Sequence, residues 1–118
     1  MHHASHSPEM QRCIEACLDC YKSCTQTGAM CLEHGGKHAE AAHITLMADC
    51  AAICAMSADF MLRGSKHAAH LCRECAEICD ACAADCERLA GDMPEMKACA
   101  ETCRRCAESC RAMASVAA

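Results

Sequence analysis

Sixteen of the 118 residues are cysteine: Cys13, Cys17, Cys20, Cys24 and Cys31; Cys50 and Cys54; Cys72, Cys75, Cys79, Cys82 and Cys86; Cys99, Cys103, Cys106 and Cys110. The step is three or four residues almost throughout, and seven C-x-x-x-C pairs result. On a helix, residues four apart stand one above the other with about 5–6 Å between Cβ atoms, so two sulfurs of such a pair can converge on one ion. Thiolate is a soft ligand that selects Cu(I), zinc or an iron–sulfur cluster. The array predicts many soft metal ions rather than a single site.

Spacing and charge separate these chemistries. A disulfide scaffold is loop-rich with irregular spacing, whereas the helical step here keeps the cysteines on one face. Ferredoxin-type clusters use a C-x-x-C-x-x-C run, which the chain lacks. Zinc is the closer rival. Sixteen thiolates matched one for one by Cu(I) leave a neutral core, but four zinc ions in four thiolates each leave roughly eight negative charges, each costing several kcal/mol when buried uncompensated. Methionine points the same way, because thioethers suit Cu(I) and are poor zinc ligands.

Extended outward, the first seam reads Met10, Cys13, Cys17, Cys20, Cys24, Thr27, Cys31, His34, and the second His43, Met47, Cys50, Cys54, Ser57, Met61. The third reads Ala68, Cys72, Cys75, Cys79, Cys82, Cys86, Leu89, Met93, and the fourth Met96, Cys99, Cys103, Cys106, Cys110, Met113. Thiols fill the middle; methionine and histidine fill the ends. In an antiparallel arrangement one end gathers His34, His38, His43, Met47, Met93 and Met96, and it is predicted as a metal mouth with His34, His43, Met47 and Met96 as ligands. The other end offers Met10, Met61, His67, His70 and Met113. His2 and His3 add a short backbone-assisted site for Cu(II). No catalytic constellation emerges, and the chain is not expected to be an enzyme. Glu40-Ala41-Ala42-His43 is a lone Glu-x-x-His where a di-iron bundle needs two such motifs and two more inward glutamates, and no thiol is singled out by a base.

The elements that must position these ligands are helices. Ser7-Pro8-Glu9 carries a capping hydroxyl, a proline for the first turn and an early acid, and Gly35-Gly36 ends that segment. Helices are predicted over about 8–33, 38–63, 66–90 and 93–113, with Ser65 capping the third and Asp92 with Glu95 forming a capping box for the fourth. Links this short force alternating directions. The expected fold is an all-α, up-down-up-down four-helix bundle over residues 1–118 as one domain, with a cysteine-lined core.

Composition agrees. Leu, Ile, Val and Phe number only twelve, too few for an ordinary core, so thiol, alanine and methionine must build it. A net charge of −5 without a basic cluster, and one Tyr and one Phe, argue against nucleic acid. No signal sequence and no run of eighteen apolar residues is present, so the expectation is a soluble, cytosolic protein whose thiols stay reduced, without a membrane partner. A second stripe on helix two, Leu46, Ile53, Met56 and Phe60, fits either ordinary flank packing or the surface of a homo-oligomer.

Four segments, Ile14-Glu15-Ala16-Cys17-Leu18-Asp19-Cys20, Asp49-Cys50-Ala51-Ala52-Ile53-Cys54-Ala55, Cys75-Ala76-Glu77-Ile78-Cys79-Asp80-Ala81-Cys82 and Cys99-Ala100-Glu101-Thr102-Cys103-Arg104-Arg105-Cys106, closely resemble the bacterial cytosolic copper storage proteins. The likeness runs from about Cys13 to Met113. It implies a tetramer of four-helix bundles that loads many Cu(I) ions onto inward-facing cysteines, with a mouth at the His34 and Met96 end. The chain departs from the family where His43 and Met96 replace cysteines, and where Met93-Pro94-Glu95-Met96 replaces a histidine-rich link, so capacity near the mouth should be lower. Cu(I) storage is the reading these lines favour. The alternatives are a zinc-buffering or redox thiol protein, and a copper chaperone.

Overall fold

Ser7 and Pro8 open the first helix as the sequence predicts. In the structure, a computed structural model describing residues 6–117 and the side chains of 6–115, the Ser7 hydroxyl accepts the Met10 N–H at 3.1 Å and α1 runs Pro8–His34. His2 and His3 lie outside the described residues. Gly35, at φ 78°, turns the chain out of the helix while its N–H still reaches the Cys31 carbonyl at 3.1 Å. A left-handed φ of that kind favours glycine.

Three boundaries differ from expectation. After Gly35 the chain makes a 3-10 turn, Gly36–Ala39, and an extended Glu40, so α2 is Ala41–Leu62 rather than starting near 38. Two successive positive-φ glycines redirect the backbone, and His38 is drawn aside by the Leu89 carbonyl, 2.9 Å from its Nε2. α3 is Ala68–Leu89. The Ser65 hydroxyl accepts the His67 N–H at 3.1 Å, which closes the preceding turn instead of capping the helix. α4 is Pro94–Ala117. Proline takes the first position and leaves Asp92 one residue short of the cap, while the alanines beyond Met113 carry the helix to 117, as their propensity allows.

The helices form an antiparallel four-helix bundle. Cys13 meets Cys110 while Cys24 meets Cys99, so α1 and α4 run oppositely. Cys31 faces His43 while Cys20 faces Cys50, and Cys54 faces Cys75 while Met47 faces Cys82, so α1 with α2 and α2 with α3 are antiparallel too. On the outside, Arg104 spans from α4 to Asp80 and Glu87 of α3, at 3.2 and 2.9 Å, and Arg111 also reaches Asp80. The bundle measures 51 × 22 × 20 Å.

All sixteen cysteines are buried, as are the predicted seam residues Thr27, His43, Met47, Ser57, Met61, Ala68, Met96 and Met113. Ile14 joins this core from α1, outside the predicted seam. α2 is long and apolar enough to cross a membrane, with a mean hydropathy of 1.5, yet its seam is spent on the other three helices. What remains apolar on its outer side is Met56 and Leu62, both exposed, with Leu46, Ile53 and Phe60 half-covered.

Ser57 is fully buried and its hydroxyl has no hydrogen-bond partner among the described residues. An unsatisfied buried hydroxyl costs about 1–3 kcal/mol. Ser57→Ala should therefore raise the metal-free stability by about 1 kcal/mol or more, read as a higher thermal midpoint by circular dichroism under reducing conditions. An unchanged or lower midpoint would show that the hydroxyl is already satisfied.

Candidate metal centre

Because the four seams face a common axis, each thiol finds its nearest sulfur across the bundle more often than along its own helix. Between α1 and α4, Cys17 lies 3.6 Å from Cys110 and 3.7 Å from Cys106, and Cys24 lies 3.6 Å from Cys103. Between α2 and α3, Cys54 lies 3.6 Å from both Cys75 and Cys79. The diagonals also touch, with Cys20 to Cys79 at 4.0 Å and Cys54 to Cys106 at 3.8 Å. Of the seven same-helix pairs, Cys20 with Cys24 and Cys75 with Cys79 make such contacts, at 3.9 and 3.8 Å. A full helical turn rises about 5.4 Å, so the small thiol reaches a facing helix before it reaches the next turn.

Five groups of sulfurs lie within 4.8 Å of one another, and they overlap. From one end they are Cys13, Cys72 and Cys110; then Cys17, Cys75, Cys106 and Cys110; then Cys54, Cys75, Cys79 and Cys106; then Cys20, Cys50, Cys54 and Cys79; then Cys20, Cys24, Cys50 and Cys103. Successive groups share one or two members, which makes a continuous ladder rather than separate cages. An edge of a tetrahedron built on metal–sulfur bonds of about 2.3 Å is about 3.8 Å, close to the spacings here. Shared edges bring neighbouring ions together, and repulsion scales with the product of the charges. Two divalent ions therefore repel four times as strongly as two monovalent ones at the same distance, so the ladder favours Cu(I) over zinc.

Cys31, Cys82, Cys86 and Cys99 fall outside these groups, and all four lie toward the predicted mouth. Met47 places its sulfur 3.4 Å from Cys82 and 3.5 Å from Cys86, Cys99 contacts Cys24 at 3.7 Å, and Cys31 faces His43 Nε2 at 3.5 Å. His43 is 1% exposed, and its Nδ1 lies 2.7 Å from Asp85 Oδ2. The other Asp85 oxygen takes Arg88. Burial works against the Asp85 carboxylate, but the bonds from Arg88 and His43 outweigh it and hold the group below its ordinary pKa. An ionised acceptor requires the proton on His43 Nδ1, which leaves the Nε2 lone pair turned toward Cys31.

The other predicted end groups divide. Met96 is buried; His34 is exposed, outside the core, and its Nδ1 lies 3.0 Å from His38 Nδ1. Because His38 Nε2 donates to the Leu89 carbonyl, His34 must donate from Nδ1 and present Nε2 outward. Met93 is half-buried against the core. At the opposite end Met61 accepts from Cys72 at 3.8 Å and Met113 is buried, Met10 is half-buried, and His67 and His70 are exposed. That end supplies thioethers, and His6, half-buried just ahead of α1, adds an imidazole whose Nε2 is buried. Asp85 and Arg88 escaped the sequence reading, since an acid and a base on a charged helix face look like solvated surface; only the distance to His43 marks them.

Proton affinities within the array are uneven. Hydrogen bonds from Cys103 and Cys24 draw Cys82 down to about 5. Cys72 is pulled down by Cys110, but its bond to Cys13 and burial push it up on balance to about 12. Burial, with the charges of Cys99 and Cys82 nearby, raises Cys31. A monovalent cation can replace a thiol proton without changing the total charge.

Residues 6–115 match the family described as Csp: Copper storage protein. Among solved structures, the chain is similar to a protein from Nitrosospira multiformis, at 51% identity over 92% of this chain and 96% of that one, with a TM-score of 0.86. It is similar to metal-free copper storage protein 3 from Bacillus subtilis, at 40% identity over 88% and 97%, with a TM-score of 0.78. It is also similar to the Streptomyces lividans copper storage protein loaded with 10 copper equivalents, at 31% identity over 91% and 84%, with a TM-score of 0.78. A cysteine-rich Bacillus subtilis protein is 40% identical over 65 residues, and the match spans 60% of that protein's length.

The structure holds all sixteen cysteines as free, buried thiols. Anaerobic reaction with a thiol-specific reagent should accordingly be slow in the native, metal-free protein and reach sixteen thiols per chain after unfolding. A count below sixteen without reductant would reveal disulfides and contradict this arrangement.

Proposed function

The chain belongs to the copper storage protein family, and from that premise we propose that it stores and sequesters Cu(I), about one ion per cysteine, on the ladder of buried thiols. The observation that carries the reading is the sharing of members between successive thiol groups. A chaperone presents one accessible site to a partner protein; here every cysteine is buried. A zinc buffer would have to place divalent ions on shared edges. The role is storage rather than catalysis, and the cytosol is its place, where thiols stay reduced; the Streptomyces lividans relative is described as cytosolic.

All sixteen cysteines serve as ligands in this proposal, with Met47, Met96, His34 and His43 at the mouth. The mouth donors are thioether and borderline imidazole, whereas the ladder donors are soft, anionic thiolates, so ions gain stability as they move inward. Each ion displaces a thiol proton, so loading weakens with acid.

The homo-oligomer, a tetramer by family likeness, has support on the outer face of α1 and α2. Leu18, Tyr21, Leu32, Met56 and Leu62 are each more than two-fifths exposed, and an apolar groove of about 390 Å³ lies between the two helices, lined among others by Tyr21, Gly28, Leu32 and Ile44. Apolar surface of this kind marks association.

Anaerobic titration with Cu(I) in the presence of excess zinc should saturate near one ion per cysteine and release about one proton each. Saturation at one or two ions, or displacement of copper by zinc, would overturn storage. Light scattering should give a mass above the monomer, with Leu32→Glu and Met56→Glu shifting it toward the monomer. A monomeric wild-type mass would remove the oligomer.

A further inference from the structure

We propose that Cys31 and His43 form a mixed sulfur–nitrogen Cu(I) site, positioned by Asp85, that hands ions between the mouth and the thiol ladder. The inference rests on the storage reading above and assigns one step of it.

The donor pair is isolated from the ladder. Cys31 belongs to none of the overlapping thiol groups, and its side-chain contact is the His43 Nε2 at 3.5 Å. His43 is nearly without solvent contact, so the imidazole was taken out of water to stand there. A buried histidine that only filled space would need one partner for its N–H, and Asp85 supplies that at 2.7 Å. The remaining lone pair then has no polar requirement except the one Cys31 meets, and it aims at a thiol. A carboxylate behind a histidine whose second nitrogen faces a soft donor is the arrangement by which proteins orient imidazole on a metal. Arg88, on the outer Asp85 oxygen, holds the carboxylate in turn.

The separation also bears on what the site does. With bonds of about 2.0 Å to nitrogen and 2.3 Å to sulfur, a linear two-coordinate ion would need about 4.3 Å between its donors. At 3.5 Å the ion is held bent, which leaves one side open to a third ligand. An incoming sulfur can bind before either first donor leaves. The step balances without redox change: Cu(I) enters and the Cys31 proton departs to solvent. The next thiol inward replaces the two donors, giving up its own proton to Cys31.

The test uses the full-length protein with histidine labelled by nitrogen-15 and Cu(I) delivered anaerobically from a weak chelate. Ring nitrogen spectra, with the His43 signals assigned by their loss in His43→Gln, should show the proton on Nδ1 without metal and a displaced Nε2 resonance at saturation. Asp85→Ala should slow uptake by about 10- to 100-fold, the range found for removal of such supporting groups, with total capacity unchanged. Asp85→Asn, which keeps an acceptor oxygen, should restore part of the rate and serves where the alanine variant does not fold. An unmoved Nε2 resonance at full loading, or uptake by Asp85→Ala and Asp85→Asn at the wild-type rate, would overturn the proposal. Wild-type capacity of only one or two ions would instead overturn storage itself.

Discussion

The structure depends on one property of the thiol: neutral, it packs as a small apolar group, and deprotonated, it is a soft anionic ligand. A leucine core would close the bundle and bind nothing. A core of carboxylates would bind ions and could not close without them. Sulfur contacts of 3.6 to 4.0 Å fill the space between four helices in the metal-free state, and the same contacts set the spacing at which ions can bridge. Charge then limits the cargo, because a monovalent ion replaces a proton one for one, whereas a divalent ion adds charge that a shared edge concentrates.

The same limit explains why the two ends differ. Along the ladder every side chain is a thiol. Toward the predicted mouth the buried side chains change to Met47, Met96 and His43, which put thioether and imidazole where the ladder has thiol. His43 is tolerated inside only because Asp85 completes its hydrogen bonding, and Asp85 stays ionised because Arg88 answers it at the surface. A chain of compensation thus runs from solvent to the innermost imidazole. At the far end Met61 and Met113 are buried, and the one buried imidazole nitrogen among the described residues there, His6 Nε2, has no such chain behind it.

Much of this was legible in advance. The cysteine step gave the helical faces, the glycines gave the breaks, and the short links gave the antiparallel order. Misreadings gathered at the helix starts. Residues 38–40 look helical by propensity, but consecutive left-handed glycines and the pull of Leu89 on His38 override it. Asp92 looks like a cap, but proline at the next-but-one position decides where α4 begins. His34 shares the α1 stripe with Cys31, and as the last residue of α1 it stays exposed.

The amino-acid sequence by itself determined the soft-ligand core and the four helices, because those follow from residue type and from a three-to-four-residue period. Only the tertiary structure decided which sulfurs meet. Partners are set by the relative height of antiparallel helices, which no single helix encodes, and so the ladder with its shared members, the four thiols left outside it, and the meeting of Asp85 with His43 across 42 residues appear only when the seams are brought together.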